Sequence, residues 1–121
     1  MNLPEQVARH LAFCGLGRAE EDIFWGRMPD SPDRCIGVFA LGGTAEEGER
    51  IQVLNRGTAP REAYETARRI GTVLDGFRGF LAGDGPWTLC DAEKWAESLA
   101  PDGKKREMYA AEVRLRCCPE E

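Results

Sequence analysis

Residues 108–117 constrain the fold most. Tyr109, Ala111, Val113, Leu115 and Cys117 alternate with Met108, Ala110, Glu112, Arg114 and Arg116. Successive side chains of an extended strand point to opposite faces. The run therefore has one apolar and one charged face, which predicts a strand buried on one side. An apolar layer to cover it is found in residues 60–75. Ala63, Ala67, Ile70 and Leu74 recur at helical spacing, widened by Thr66, Val73 and Phe77. Arg61, Glu62, Glu65, Arg68 and Arg69 fall on the opposite side. Pro60 suits a first helical turn, with Thr58 or Ala59 as the cap, and Gly76 stops the helix.

The remaining elements follow from the same two periodicities. Leu3, Val7 and Leu11, with Ala8 and Ala12, predict a helix over 3–13, capped by Asn2 and carrying Pro4 in its first turn. Ile23-Phe24-Trp25 reads as a short strand. Residues 26–33 form a loop in which Pro29 and Pro32 fix φ and remove two backbone donors. Residues 34–41 read as a strand that is apolar on both faces, hence buried and central, and the Gly42-Gly43 pair ends it. Residues 44–50 carry Glu46, Glu47 and Glu49 and read as a solvated hairpin tip. Residues 51–56 return as a strand with Ile51 and Val53 inward. Residues 79–86 read as a glycine-rich loop with one short strand, 87–92 as a strand, and 93–105 as a polar segment with a turn at Pro101-Asp102-Gly103. The prediction is one domain over 1–121 of the α+β class: a mixed, mostly antiparallel β-sheet with two main helices packed on it.

Charge and residue usage narrow the function classes. A net charge of −5 argues against a sequence-specific nucleic-acid binder, which needs a concentrated cationic face. The five cysteines are Cys14, Cys35, Cys90, Cys117 and Cys118; they include no Cys-x-x-Cys and stand beside one histidine. That pattern predicts reduced, mostly buried thiols in a cytosolic setting and no metal site. No apolar run reaches the ~20 residues needed to span a membrane, and the N-terminus does not read as a signal peptide. Ser31 and Ser98 are the only serines, and neither lies in a nucleophile elbow. The glycines of 79–86 follow a helix and lack the phosphate-loop lysine. No cofactor and no catalytic set is expected.

Four segments carry a family resemblance. They are the Asp22-to-Asp33 stretch with its Met-Pro-Asp-Ser-Pro-Asp loop and the apolar strand to Leu41; Ile51-Gln52-Val53-Leu54-Asn55-Arg56-Gly57; the helix containing Ala63-Tyr64-Glu65-Thr66-Ala67; and the last strand, 107–117. Together they resemble the minor capsid or tail terminator proteins of tailed phages and prophages. The turn before the last strand departs from the family pattern, reading Pro101-Asp102-Gly103-Lys104-Lys105-Arg106.

The resemblance implies a virion structural protein at the tail or head–tail junction, present in the host cytoplasm before assembly. It implies a ring subunit, in a hexamer, that caps the tail tube, ends its polymerisation and joins the head. Its partners would be further copies of itself, the tail tube protein and a head-completion or connector protein, with no catalysis. A cyclic ring joins two different patches of the same chain. Candidate interface residues are Trp25, Arg27 and Met28 at the proline loop, Trp87 and Trp95 near the second hairpin, and Arg114 and Arg116 on the last strand; tryptophan and arginine favour interface centres. Glu46, Glu47 and Glu49 are candidates for a channel-facing loop. The alternative is a small non-enzymatic cytosolic binding module acting as a monomer or dimer.

Overall fold

The computed structural model describes residues 2–44, 47–81 and 86–117. Helix α1 (Leu3–Phe13) is followed by strands β1 (Ile23–Trp25), β2 (Cys35–Thr44) and β3 (Gly48–Gly57). Helix α2 (Pro60–Leu74) and strands β4 (Arg78–Phe80), β5 (Trp87–Leu99) and β6 (Glu107–Cys117) complete the order. The strands form one sheet in the order β1-β2-β3-β6-β5-β4. Only β1 and β2 run parallel; every other pair is antiparallel. This is the α+β fold the patterns predict.

Both helices lie on one face of the sheet. Register places Ile36 and Val38 of β2, Ile51 and Val53 of β3, and Ala111, Val113 and Leu115 of β6 on that face. They meet Val7, Ala8 and Leu11 of α1 and Ile70 and Leu74 of α2 in one buried cluster. Asn2 caps α1 by accepting a hydrogen bond from the Glu5 amide at 2.9 Å. The N-cap of α2 is Ala59, which has no side chain to cap with. Asn55 of β3 reaches the first turns of α2 from the sheet without capping its amides. It is fully buried and donates from Nδ2 to the Ala63 carbonyl at 3.0 Å, tying the start of α2 to the central strands.

Three expectations are corrected. The strand predicted over 34–41 as central and buried is β2, the second strand from one edge, and it extends to Thr44. It is buried from Cys35 to Val38 but exposed from Ala40 onward, so Leu41 is a surface residue. The hairpin tip is shorter than 44–50, because β3 begins at Gly48 and pairs it with Thr44. The polar segment 93–105 is strand as far as Leu99. Its alternation is hidden by two register shifts, between Ala92 and Lys94 and between Lys94 and Glu97. Each shift breaks the two-residue period by which a strand is recognised.

Trp95 lies on that second half of β5 and packs flat on α2. A Cβ added to Gly71 would sit 2.6 Å from Trp95 Cε3. Glycine in mid-helix sacrifices up to ~1 kcal/mol of helix propensity relative to alanine. Gly71→Ala should nevertheless destabilise by about 1–2 kcal/mol, because a rigid indole must move out of a packed site. Thermal unfolding with a shift in tryptophan emission checks this; a more stable variant with unchanged emission contradicts it.

Candidate functional site

Parallel β1 and β2 force the chain to return along the sheet between Trp25 and Cys35. The returning segment is the proline loop, and it crosses the face opposite the helices. By register Phe24, Cys35 and Gly37 look to that face. Phe24 and Cys35 are buried there. A Cβ on Gly37 would come within 3.2 Å of Met28 Cβ and 2.8 Å of the Phe39 ring, so the loop and Phe39 approach where only glycine leaves room. The double-sided apolar pattern of β2 thus has two sources: helices cover one side and the loop covers the other.

Two buried arginines hold the loop. Arg56, at the end of β3, is 5% exposed. Its guanidinium donates to the carbonyls of Pro29 at 2.6 Å, Pro32 at 2.7 Å and Asp33 at 3.0 Å. Arg106, just before β6, is equally buried. It donates to the Asp30 carbonyl at 2.6 Å, and pairs with the carboxylates of Asp30 at 2.8 Å, Asp33 at 3.2 Å and Asp102 at 2.7 Å. Lys104 also pairs with Asp30. A planar guanidinium offers five donors in a fixed fork, so one side chain satisfies several acceptors of a donor-poor loop. The Ser31–Pro32 peptide within it is cis.

Charge follows from this geometry. The Arg106 guanidinium and two backbone amides bonded to Asp102 hold that carboxyl down to about 2. Hydrogen bonds from Lys104 and Arg106 lower Asp30, and the three carboxylates raise Arg106. Carboxylates with lowered values stabilise the fold fully above their ordinary value of 3.8 and lose that contribution as pH falls through the folded one. Stability should therefore drop between about pH 4 and pH 2 in the wild type. Asp102→Asn should begin less stable and show a flatter profile over that window in urea titrations. Parallel profiles contradict the assignment.

The structure separates the sequence-predicted interface residues. Arg27 and Met28 are together on the proline loop, with the Arg27 guanidinium 5.1 Å from the Phe24 ring centroid. Trp25 is half-buried on the helix side, roofed by Arg9 at 5.1 Å; Trp95 is half-buried there too, roofed by Arg68 at 5.5 Å. Trp87 is half-buried and pairs with Phe80 across β4 and β5. Arg114 and Arg116 flank Gly48 on the open face. Arg114 bonds to Glu93 at 3.1 Å, which also meets Arg50 at 3.4 Å, whereas Arg116 is exposed. Glu47 and Glu49 are exposed at the β2–β3 hairpin, and Glu46 lies outside the described residues. Arg56 and Arg106 did not stand out in the sequence; the one signal was the altered turn from Pro101 to Arg106.

Among the described residues no three His, Cys, Asp or Glu side chains converge in a way that could hold a metal ion. Cys35 and Cys90 are buried, and burial raises both thiols, Cys90 to about 12. Cys14 is half-buried and Cys117 exposed; Cys118 lies outside the described residues. No described helix is long and apolar enough to cross a membrane.

A sequence profile described as bacteriophage tail terminator protein matches residues 10–116. The chain belongs to the bacteriophage tail terminator family. Comparison with curated proteins and with solved structures finds no match. The matched span begins within α1 and ends within β6, so it includes the proline loop and both arginines that hold it. Membership makes this chain a structural component of a phage tail, located in the virion and working against other tail or head proteins. Tail terminators are in general not enzymes.

Proposed function

We propose that the chain, as one domain, is the ring subunit that caps the tail tube, ends its polymerisation and presents a surface for joining the head. The family match over residues 10–116 carries this reading. The ring is a hexamer, its partners are the tail tube protein and a head-completion or connector protein, and the chain waits in the host cytoplasm before assembly. The proline loop suits the role. Its stiffness and its two arginine anchors lower the entropy lost on docking. The exposed Arg27 and the half-buried Met28 are its contacts. Trp87, Arg114 and Arg116 belong to a second patch, as a heterologous ring requires, while Trp25 and Trp95 shape that surface from behind. The acidic β2–β3 hairpin, with Glu47 and Glu49 exposed, faces the channel, where like charge keeps DNA from sticking.

The test uses a phage or prophage lacking this gene, supplied in trans with wild type or with Arg27→Ala/Met28→Ala. Alanine keeps the Met28 Cβ against Gly37, and loss of the Arg27–ring contact costs about 0.5–1 kcal/mol, so the variant folds. It is expected to leave few finished tails. A folded variant that completes tails as well as wild type removes the loop from the assembly contact.

A further inference from the structure

A recess of about 40 Å³ opens where β2 begins, β3 ends and α2 starts. Its lining includes Arg34, Gly57, Thr58, Ala59, Glu62 and Thr66. A water-sized group needs roughly 10–15 Å³ of such space, so about three heavy atoms fit. The first turn of α2 borders it without a cap. Ala59 has no side chain to cap with, and Pro60 has no amide hydrogen. The Ala63 amide is bonded to the Ala59 carbonyl at 2.9 Å. The amides of Arg61 and Glu62 are left as the unpaired donors of that turn. Unpaired amides and the helix dipole together favour a negative group. Any uncapped helix offers that much, and here three further observations point to a ligand.

The first is Thr66. It is nine-tenths buried, and its hydroxyl has no hydrogen-bond partner among the described residues. A helical threonine usually bonds back to the carbonyl four residues earlier, as Thr72 does to Arg68 at 3.0 Å. No polar side-chain atom sealed from solvent lacks a partner among the described residues. The Thr66 hydroxyl is therefore open, and the recess it lines is where it opens. The second is Arg34, whose contacts to the Leu16 carbonyl, Asp22 and Glu62 all lie at 3.5–3.7 Å. A charge-assisted hydrogen bond is shorter, about 2.7–2.9 Å, so this guanidinium is loosely held. The third is Arg56, which borders the recess while its guanidinium serves the proline loop. It is buried, and all three of its printed bonds go to carbonyls, so its charge has no carboxylate counter-ion among the described residues. Glu62 is the one carboxylate in the lining. It is 65% exposed and bonds to neither threonine.

We infer that this recess is an oxyanion site that takes one carboxylate or phosphate group. The amides of Arg61 and Glu62 and the Thr66 hydroxyl donate to the oxygens. Arg34 turns from Glu62 to the ligand and supplies the charge. Thr58, exposed at the rim and without a partner among the described residues, adds a second hydroxyl. Glu62 is the competitor that the ligand displaces from Arg34. The site is complete within one copy, so it stands or falls independently of the ring.

Amide NMR spectra of the whole chain test it at neutral pH. Sodium phosphate and sodium acetate are titrated separately, with sodium chloride at matched ionic strength as the reference. The Arg61 and Glu62 amides are expected to shift saturably with phosphate, acetate or both, and not with chloride. Tighter binding of acetate identifies a carboxylate ligand, such as an acidic side chain of a neighbouring protein presents. Tighter binding of phosphate identifies the free ion. Thr66→Val keeps the shape of the side chain and should weaken binding about 5-fold, the effect of one lost hydrogen bond. Arg34→Gln should weaken it by about 10-fold or more, since a charged donor is lost. Glu62→Gln removes the competitor and should strengthen binding. The same spectra show that each variant is folded. Shifts that never saturate, that chloride reproduces, or that survive Thr66→Val and Arg34→Gln unchanged overturn the site. Weaker binding by Glu62→Gln overturns it as well.

Discussion

Arg56→Ala is expected to destabilise the protein by about 3 kcal/mol, the largest effect of any single change outside the apolar core. The side chain is buried and donates three hydrogen bonds, all to backbone carbonyls of the proline loop. Hydrogen bonds from a charged donor contribute roughly 1.5–3 kcal/mol each in mutational series, and their effects are not additive. Removing the guanidinium leaves three acceptors without a donor, in a segment whose prolines supply none of their own. The loop also covers Phe24 and Cys35, so its release exposes apolar surface. For a chain of this size the unfolding temperature should fall by roughly 10 °C. Limited proteolysis should cut first within residues 26–34. Arg56→Lys should recover little, because an ammonium cannot span three carbonyls as a planar fork does. An Arg56→Ala protein with unchanged stability and an uncut loop contradicts the role given to this side chain.

The parts of this fold that could be read from sequence are those whose periodicity is unbroken. Helix α1 occupies the residues its leucine and valine spacing predicts, and α2 ends one residue before the predicted Asp75. β6 alternates as its residues do from Ala111 to Leu115, with Ala111, Val113 and Leu115 buried, whereas Ala110 is buried too and Cys117 is exposed. The second half of β5 could not be read. Its bulges, together with Ala96 at φ 42°, throw charged residues out of phase. β2 misled for another reason: an apolar strand looks the same whether a second layer covers all of it or a loop covers half. At the site, Pro29 and Pro32 announced a stiff loop. Nothing local announced what holds it, since Arg106 reaches Asp30 across 76 positions and Arg56 reaches Pro29 across 27. An arginine at a strand end looks like a solvated residue until the fold brings carbonyls to it. The tryptophans show the converse. Composition marks them as interface candidates, yet Trp25 and Trp95 are packed on helices beneath arginines.

The largest functional effect should follow from removing the chain altogether. Tube subunits that add head to tail always leave an open end, because a heterologous contact that does not close can propagate indefinitely. Something must therefore occupy that end. In the proposed role this chain occupies it, its clamped loop meeting the last tube ring without offering the next one the same surface. Without it, tube growth should continue past the natural length and finished tails should not join heads, so infectious yield should fall by orders of magnitude. Loss should be complete rather than graded, and supply of the wild-type chain in trans should restore both length and yield. The deciding measurement is tail length by electron microscopy in a phage or prophage lacking this gene. Overlong tails of variable length, detached from heads and corrected in trans, are the expected result. Tails of normal, uniform length joined to heads would contradict the assignment of this chain to the end of the tube.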